Sequence, residues 1–175
     1  VEGGTPEWCM QILRHEAGHA FDNAYALRRR RRRIKVFGSP GTPYPDFYLP
    51  RPYSKSFVLH LDSWYAQSHP DEDFAETFAV WLPPRSRWRS QYAGWPACAK
   101  LEYVDEAMRG LEGRKATRLS RATVEPLSRN ERTNREHYRH KQARYEVDLD
   151  KSYDRRLLRV FGRRDDRPRG LAASR

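Results

Sequence analysis

The spacing of apolar and polar positions predicts a chain built from a few helices. Thr5-Pro6-Glu7 reads as a helix start, with threonine as N-cap and proline at the first helical position. Trp8, Ile12, Leu13, Ala17 and Ala20 then recur at helical spacing, so this helix is expected to run to about Leu27 and to bury that stripe. Ser68-His69-Pro70-Asp71 opens a second helix as a capping box. Asp71, Glu72 and Asp73 suit its positive dipole end, Phe74, Phe78, Trp81 and Leu82 give it an apolar face, and Pro83-Pro84 stops it. A third helix follows Pro96, with Leu101, Val104, Met108 and Leu111 inward and Gly110 or Gly113 closing it.

Between the first two helices the material changes. Pro40, Pro43, Pro45, Pro50 and Pro52 break up residues 38–52, which therefore form neither helix nor central strand. Long loops of this kind are often functional, and Tyr44, Phe47, Tyr48 and Tyr53 are expected either to line a cleft or to pack beneath the loop. Ser56 to Leu61 reads as a short strand. After Gly113 the chain is dense in Arg, Lys, Asn and His and makes a poor core until about residue 145; residues 150–162 recover a helical stripe through Tyr153, Leu157, Val160 and Phe161. The expected organisation is a catalytic-sized body over residues 1–113 and a basic C-terminal helical extension over 114–175, its last dozen residues frayed. The fold class is mainly α, with little strand.

Composition narrows the function classes. Lys and Arg number 34 against 23 Asp and Glu in 175 residues, a net charge of +11. Arg28 to Arg33 are six consecutive arginines, which solvate easily and would also attract nucleic acid or acidic polymers without sequence preference. The longest apolar run is five residues, Phe78 to Leu82, too short for a membrane-spanning helix. Two cysteines exclude a disulfide framework and a cysteine-rich zinc site, and Cys9 is expected to be a buried thiol. The chain opens without a basic-then-apolar leader, so the expectation is a reduced, cytoplasmic protein.

The chemistry lies in His15-Glu16-Ala17-Gly18-His19, an H-E-x-x-H sequence on the first helix. Residues four apart share a helical face, so both imidazoles can meet one zinc ion, at bonds of about 2.0–2.1 Å. Glu16 beside them can deprotonate a metal-activated water. A third ligand is required. Asp22 and Tyr25 stand where the metzincin pattern needs glycine and histidine, which excludes that class. The remaining candidates are His60, His69 and the acids of the second helix. There Glu72 and Glu76, four apart, offer one carboxylate for the ion and a second for the free ring N–H of a ligand histidine. Two neutral imidazoles leave the ion its full charge, which favours a carboxylate. The other reading is that Asp71 to Glu76 only cap and solvate a helix.

These motifs together, His15 to His19 followed by Tyr65, Glu72, Ala75 and Glu76, resemble the gluzincin pattern of H-E-x-x-H plus a downstream E-x-x-A-E. The chain is most similar to the bacterial family described as "putative zinc-binding metallopeptidase" and, more distantly, to the zinc domain of anthrax lethal factor. The resemblance covers about residues 8–110. It implies a zincin-like helical catalytic core, one Zn2+ per chain held by His15, His19 and Glu72, Glu16 as general base, Glu76 behind a ligand histidine, and a peptide or protein substrate. It also puts Tyr65 where a hydroxyl donates to the developing oxyanion; the alternative is an ordinary half-buried tyrosine. Asp22 either supports a ligand or pairs with an arginine. Gluzincins usually carry a sheet before this helix, and the 14 residues preceding His15 are too few for it, so the expectation is either a truncated chain or a substrate held in another way. The rival function is a basic nucleic-acid-binding or scaffold protein with a structural zinc, which needs a fourth protein ligand such as His60, His69 or Asp73. Water activation for ester cleavage or deamidation would use the same residues.

Overall fold

The computed structural model describes residues 3–45, 48–118 and 131–148. It divides into two compact units, Val1–Arg121 and Ala122–Arg175. The first contains α1 (Pro6–Ala24), α2 (Arg31–Phe37), α3 (Pro70–Trp81), α4 (Trp88–Gln91) and α5 (Pro96–Arg109), with 3₁₀ turns at Leu27–Arg29 and Asp62–Gln67. The second contains α6 (Asn134–Asp148). No strand occurs among the described residues, so the protein is mainly helical. No helix among them is long and apolar enough to cross a membrane.

Helix α3 is the axis of the first unit. Every residue from Asp71 to Ala79 is buried, acids included. On one side Phe74 and Phe78 join Leu27, Phe37, Tyr103, Val104, Met108 and Leu111 in an apolar cluster. A second cluster unites Val58, Ala66, Trp88, Tyr92, Ala97 and Leu101. Helix α5 serves both clusters, which explains its inward stripe from Leu101 to Met108. Gly110 ends it and Pro83-Pro84 follow the end of α3, as the sequence predicts.

Helix α1 packs on α3 with a face the apolar pattern does not predict. Its buried residues are His15, Gly18 and Asp22, whereas Trp8, Met10, Leu13 and Phe21 are exposed. The reason is close approach. A Cβ on Gly18 would stand 2.8 Å from the Ala75 Cα and 3.1 Å from the Ala75 carbonyl oxygen, so only glycine lets the two helices meet here. The helix starts as predicted, with Thr5 Oγ1 accepting from the Trp8 N–H at 3.2 Å, but stops at Ala24, where the chain turns through Ala26 at φ +51°. Cys9 is exposed rather than buried, since every residue of the first part of α1, from Pro6 to Gln11, is exposed.

Three further expectations change. Ser56 to Leu61 is irregular rather than a strand. Its polar backbone is taken up by side chains instead of a ladder: Leu59 N–H donates to the Tyr92 hydroxyl at 3.1 Å and Leu61 N–H to Glu76 Oε2 at 2.8 Å. The cap of α3 is His69, not Ser68; His69 Nδ1 accepts from Asp71 N–H at 3.1 Å while the Ser68 hydroxyl donates back to the Tyr65 carbonyl. The basic stretch after Gly113 contains α6, which opens with a reciprocal capping box. Thr133 Oγ1 accepts from Glu136 N–H at 3.3 Å and Glu136 Oε2 accepts from Thr133 N–H at 2.9 Å. The expected helix at 150–162, the frayed terminus and Phe47 lie outside the described residues.

The arginine run is solvated in part, with Arg29 to Arg32 exposed, and structural in part. Arg33 is fully buried, donating to Asp22 Oδ2 at 3.1 Å, Asp71 Oδ1 at 2.7 Å, and the carbonyls of Pro70 and Gly38. Arg28 reaches Asp71 Oδ2 at 2.6 Å, and Arg32 makes a two-pronged pair with Glu106. Half of the run thus ties α1, α2, α3 and α5 together, and Asp22 resolves as an arginine partner.

Candidate metal centre

Gly18 and Ala75 hold α1 and α3 in antiparallel contact, with His15 opposite Glu76 and Asp22 linked through Arg33 to Asp71. That alignment brings residues 57 positions apart to one point: His15 Nε2 lies 3.0 Å from Glu72 Oε2. His19 Nε2 lies 3.1 Å from His15 Nε2 and 3.2 Å from the same Glu72 oxygen. Three donor atoms therefore form a nearly equilateral triangle. A tetrahedral zinc with bonds of about 2.0–2.1 Å separates its donors by about 3.3 Å. Two imidazole nitrogens and one carboxylate oxygen at these spacings fit such an ion. His15, His19 and Glu72 are a group able to hold a metal.

The surroundings orient this triangle. His15 Nδ1 faces Glu76 Oε1 at 2.7 Å, leaving Nε2 to point at Glu72 and His19. Glu76 is fully buried, and its second oxygen is held by Leu61 N–H. Burial alone would lower the His15 pKa, but the hydrogen bonds and charges of Glu72 and Glu76 outweigh it and push the ring up to about 9. Glu72 responds in the opposite sense. Burial favours its neutral form, yet hydrogen bonds with His15, His19 and Tyr44 hold it well below the usual carboxylate range. A field that favours a proton on His15 also favours a divalent cation at the same point.

Glu16 lies between the two histidines in sequence and is exposed. Tyr65 is half-buried, its ring 5.7 Å from that of His15. Burial first, and then the negative charges of Glu72, Glu76 and Glu16, push its hydroxyl up to about 12, so it remains a protonated donor at neutral pH.

The other candidate ligands are engaged elsewhere. His60 Nε2 is 2.9 Å from the Gln11 carbonyl, and His69 both caps α3 and reaches the Thr42 carbonyl at 2.7 Å. Asp73, one residue from Glu72 but on another face, pairs with Lys100 at 2.7 Å. A fourth protein donor of the kind a structural zinc needs is therefore absent from the group among the described residues. The acids of α3 do more than solvate a helix end, because Asp71, Glu72, Asp73 and Glu76 are all buried with partners.

Tyr44, expected only to line a cleft or pack beneath its loop, has a partner that the sequence does not indicate. Tyr44, in the proline-rich loop, donates its hydroxyl to Glu72 Oε1 at 2.8 Å and stacks on the His69 ring at 3.7 Å between centroids. Nothing local pairs position 44 with position 72.

Comparison with known proteins bears on the same stretch. Residues 10–92 match a family model described as "Putative zinc-binding metallo-peptidase". The match covers a little under half of the chain and includes His15, Glu16, His19, Tyr44, Tyr65, Glu72 and Glu76. A zinc-binding description and a His-His-Glu group thus coincide in one segment. No curated protein and no solved structure matches the chain.

Proposed function

We propose that this chain is a zinc-dependent metallopeptidase of the gluzincin kind, binding one Zn2+ through His15, His19 and Glu72. The observation that carries this reading is the triangle of donor atoms with sides of 3.0, 3.1 and 3.2 Å. The family match adds the peptidase class. When bound, zinc supplies a Lewis acid that polarises the scissile carbonyl and acidifies the attacking water. Glu16 takes the proton from that water and returns it to the leaving amine, so the proton count closes over one turnover. Tyr65 donates its hydroxyl hydrogen bond to the developing oxyanion. Glu76 fixes the His15 ring by accepting its Nδ1–H. A peptide or protein is the substrate.

A basic nucleic-acid-binding role has less support. Arg28 and Arg33 are spent on the buried carboxylates Asp71 and Asp22, Arg32 is paired with Glu106 at the surface, and the group offers three donors rather than four.

The test is metal analysis of the full chain together with the Glu16→Gln variant assayed against a peptide library. One zinc per chain is expected, retained in the variant, with hydrolysis down by about 10²–10⁴-fold, the usual contribution of a general base. Purified protein that takes up no zinc would refute the reading. A variant as active as the wild type would remove Glu16 from the reaction.

A further inference from the structure

Glu72 has two carboxylate oxygens, and they have different neighbours. Oε2 faces both imidazole Nε2 atoms, at 3.0 and 3.2 Å. Oε1 accepts the Tyr44 hydroxyl at 2.8 Å. Tyr44 itself lies in an irregular, proline-broken loop and is 57% exposed, so a free tyrosine there would sample many rotamers. Its ring is held instead by the stack on His69, at 3.7 Å and 11° between planes. His69 is immobilised at both ring nitrogens, by Asp71 N–H and by the Thr42 carbonyl, and it forms the cap of the helix that carries Glu72. The Tyr44 hydroxyl is therefore aimed by the same helix end whose second residue after the proline is Glu72.

Resting on the metallopeptidase reading, we propose that Tyr44 is a positioning residue that fixes Glu72 as a one-oxygen metal ligand. By occupying Oε1 it presents Oε2 alone to the ion and keeps the remaining coordination positions for water and substrate. Without the hydroxyl, Glu72 can rotate and offer both oxygens, which crowds the site and raises the coordination number. The loop thereby controls the metal from outside the H-E-x-x-H and E-x-x-A-E motifs.

Tyr44→Phe tests this in the full chain, because phenylalanine keeps the stack on His69 and removes only the hydroxyl. Two readouts are needed: zinc affinity by competition with a chromophoric chelator, and the visible spectrum of protein loaded with Co2+ in place of Zn2+. The variant is expected to bind zinc about tenfold more weakly, the low end for removing an outer partner of a ligand. Its cobalt bands are expected to weaken, as they do on passing from four to higher coordination. A purely structural role for Tyr44 would shift melting without changing the cobalt spectrum. Unchanged zinc affinity and an unchanged spectrum in a folded variant would overturn the assignment while leaving His15, His19 and Glu72 as ligands. A wild-type chain that binds neither metal would overturn both.

Discussion

Gly18→Ala puts the link between helix packing and metal chemistry to a direct test. In an open helix this change stabilises by about 1 kcal/mol through helix propensity. Here the added Cβ would meet the Ala75 Cα at 2.8 Å, the Ala75 carbonyl oxygen at 3.1 Å and the Phe78 Cβ at 3.2 Å. The first two are backbone atoms and cannot rotate aside. Carbon atoms rest at about 3.5–4.0 Å, so α1 and α3 must part locally by roughly 0.7 Å. Overpacking of this kind costs about 1–3 kcal/mol, which exceeds or cancels the propensity gain. The expected net effect is a loss of about 0–2 kcal/mol, a fall in melting temperature of up to about 8 °C at roughly 4 °C per kcal/mol. The metal effect should be larger. His15 and His19 ride on α1 and Glu72 on α3, and metal bonds tolerate only about 0.2 Å, so zinc affinity should drop at least tenfold. Thermal melts with and without zinc, plus chelator competition, read both quantities. Gly110→Ala is the control: its Cβ would meet nothing closer than 3.4 Å and its φ is −68°, so it should be neutral or slightly stabilising. A Gly18→Ala protein that melts at or above the wild type and binds zinc equally well would refute the argument from close approach.

Two further outcomes follow from the ion pairs. Arg33→Met leaves the buried Asp22 and Asp71 without their shared cation and should cost about 3–5 kcal/mol in urea denaturation; a variant within 1 kcal/mol of wild type would contradict the bridging role. Asp105 accepts from Trp81 Nε1 at 3.0 Å and pairs with Arg109 and Arg89, which together hold its carboxyl below the usual range. A depressed folded-state pKa contributes stability above the unfolded value of about 4 and loses it as pH falls through the folded value. Wild type should therefore exceed Asp105→Asn by under about 1 kcal/mol at pH 7, since both arginines are largely exposed, and the gap should narrow as pH falls below the unfolded value of about 4. A gap that stays constant as the pH is lowered through the acid range would assign the effect to something other than the charge.

What the sequence could reveal depended on whether the cause was local. The Thr5 cap, the stop at Pro83-Pro84 and the closing Gly110 act within one turn of themselves, and each is where the pattern predicts. The box at Thr133 and Glu136 is equally local, but the helix it opens is so rich in charge that it has no apolar stripe to mark it in the sequence. The buried face of α1 differs from its apolar stripe for a non-local reason. Helical periodicity locates a stripe, but which stripe is buried depends on what the neighbour presents. Here α3 presents Glu72, Ala75 and Glu76, so the polar His15–Gly18–Asp22 face went inward.

The candidate site divides along the same line. Spacing of four on each of two helices offers His15 with His19 and Glu72 with Glu76 as facing pairs, because a helix sets the relative direction of such pairs regardless of its surroundings, but it leaves His60 and His69 open as alternatives. How the two pairs meet was decided by the tertiary structure: the Gly18–Ala75 contact sets the distance, and Arg33, from a run that reads as solvated charge, ties Asp22 to Asp71 across it. Tyr44 likewise reaches Glu72 only because His69 gives its ring a surface to lie on. Contacts between distant segments depend on chain entropy already lost elsewhere in the fold, and no window of sequence carries that information.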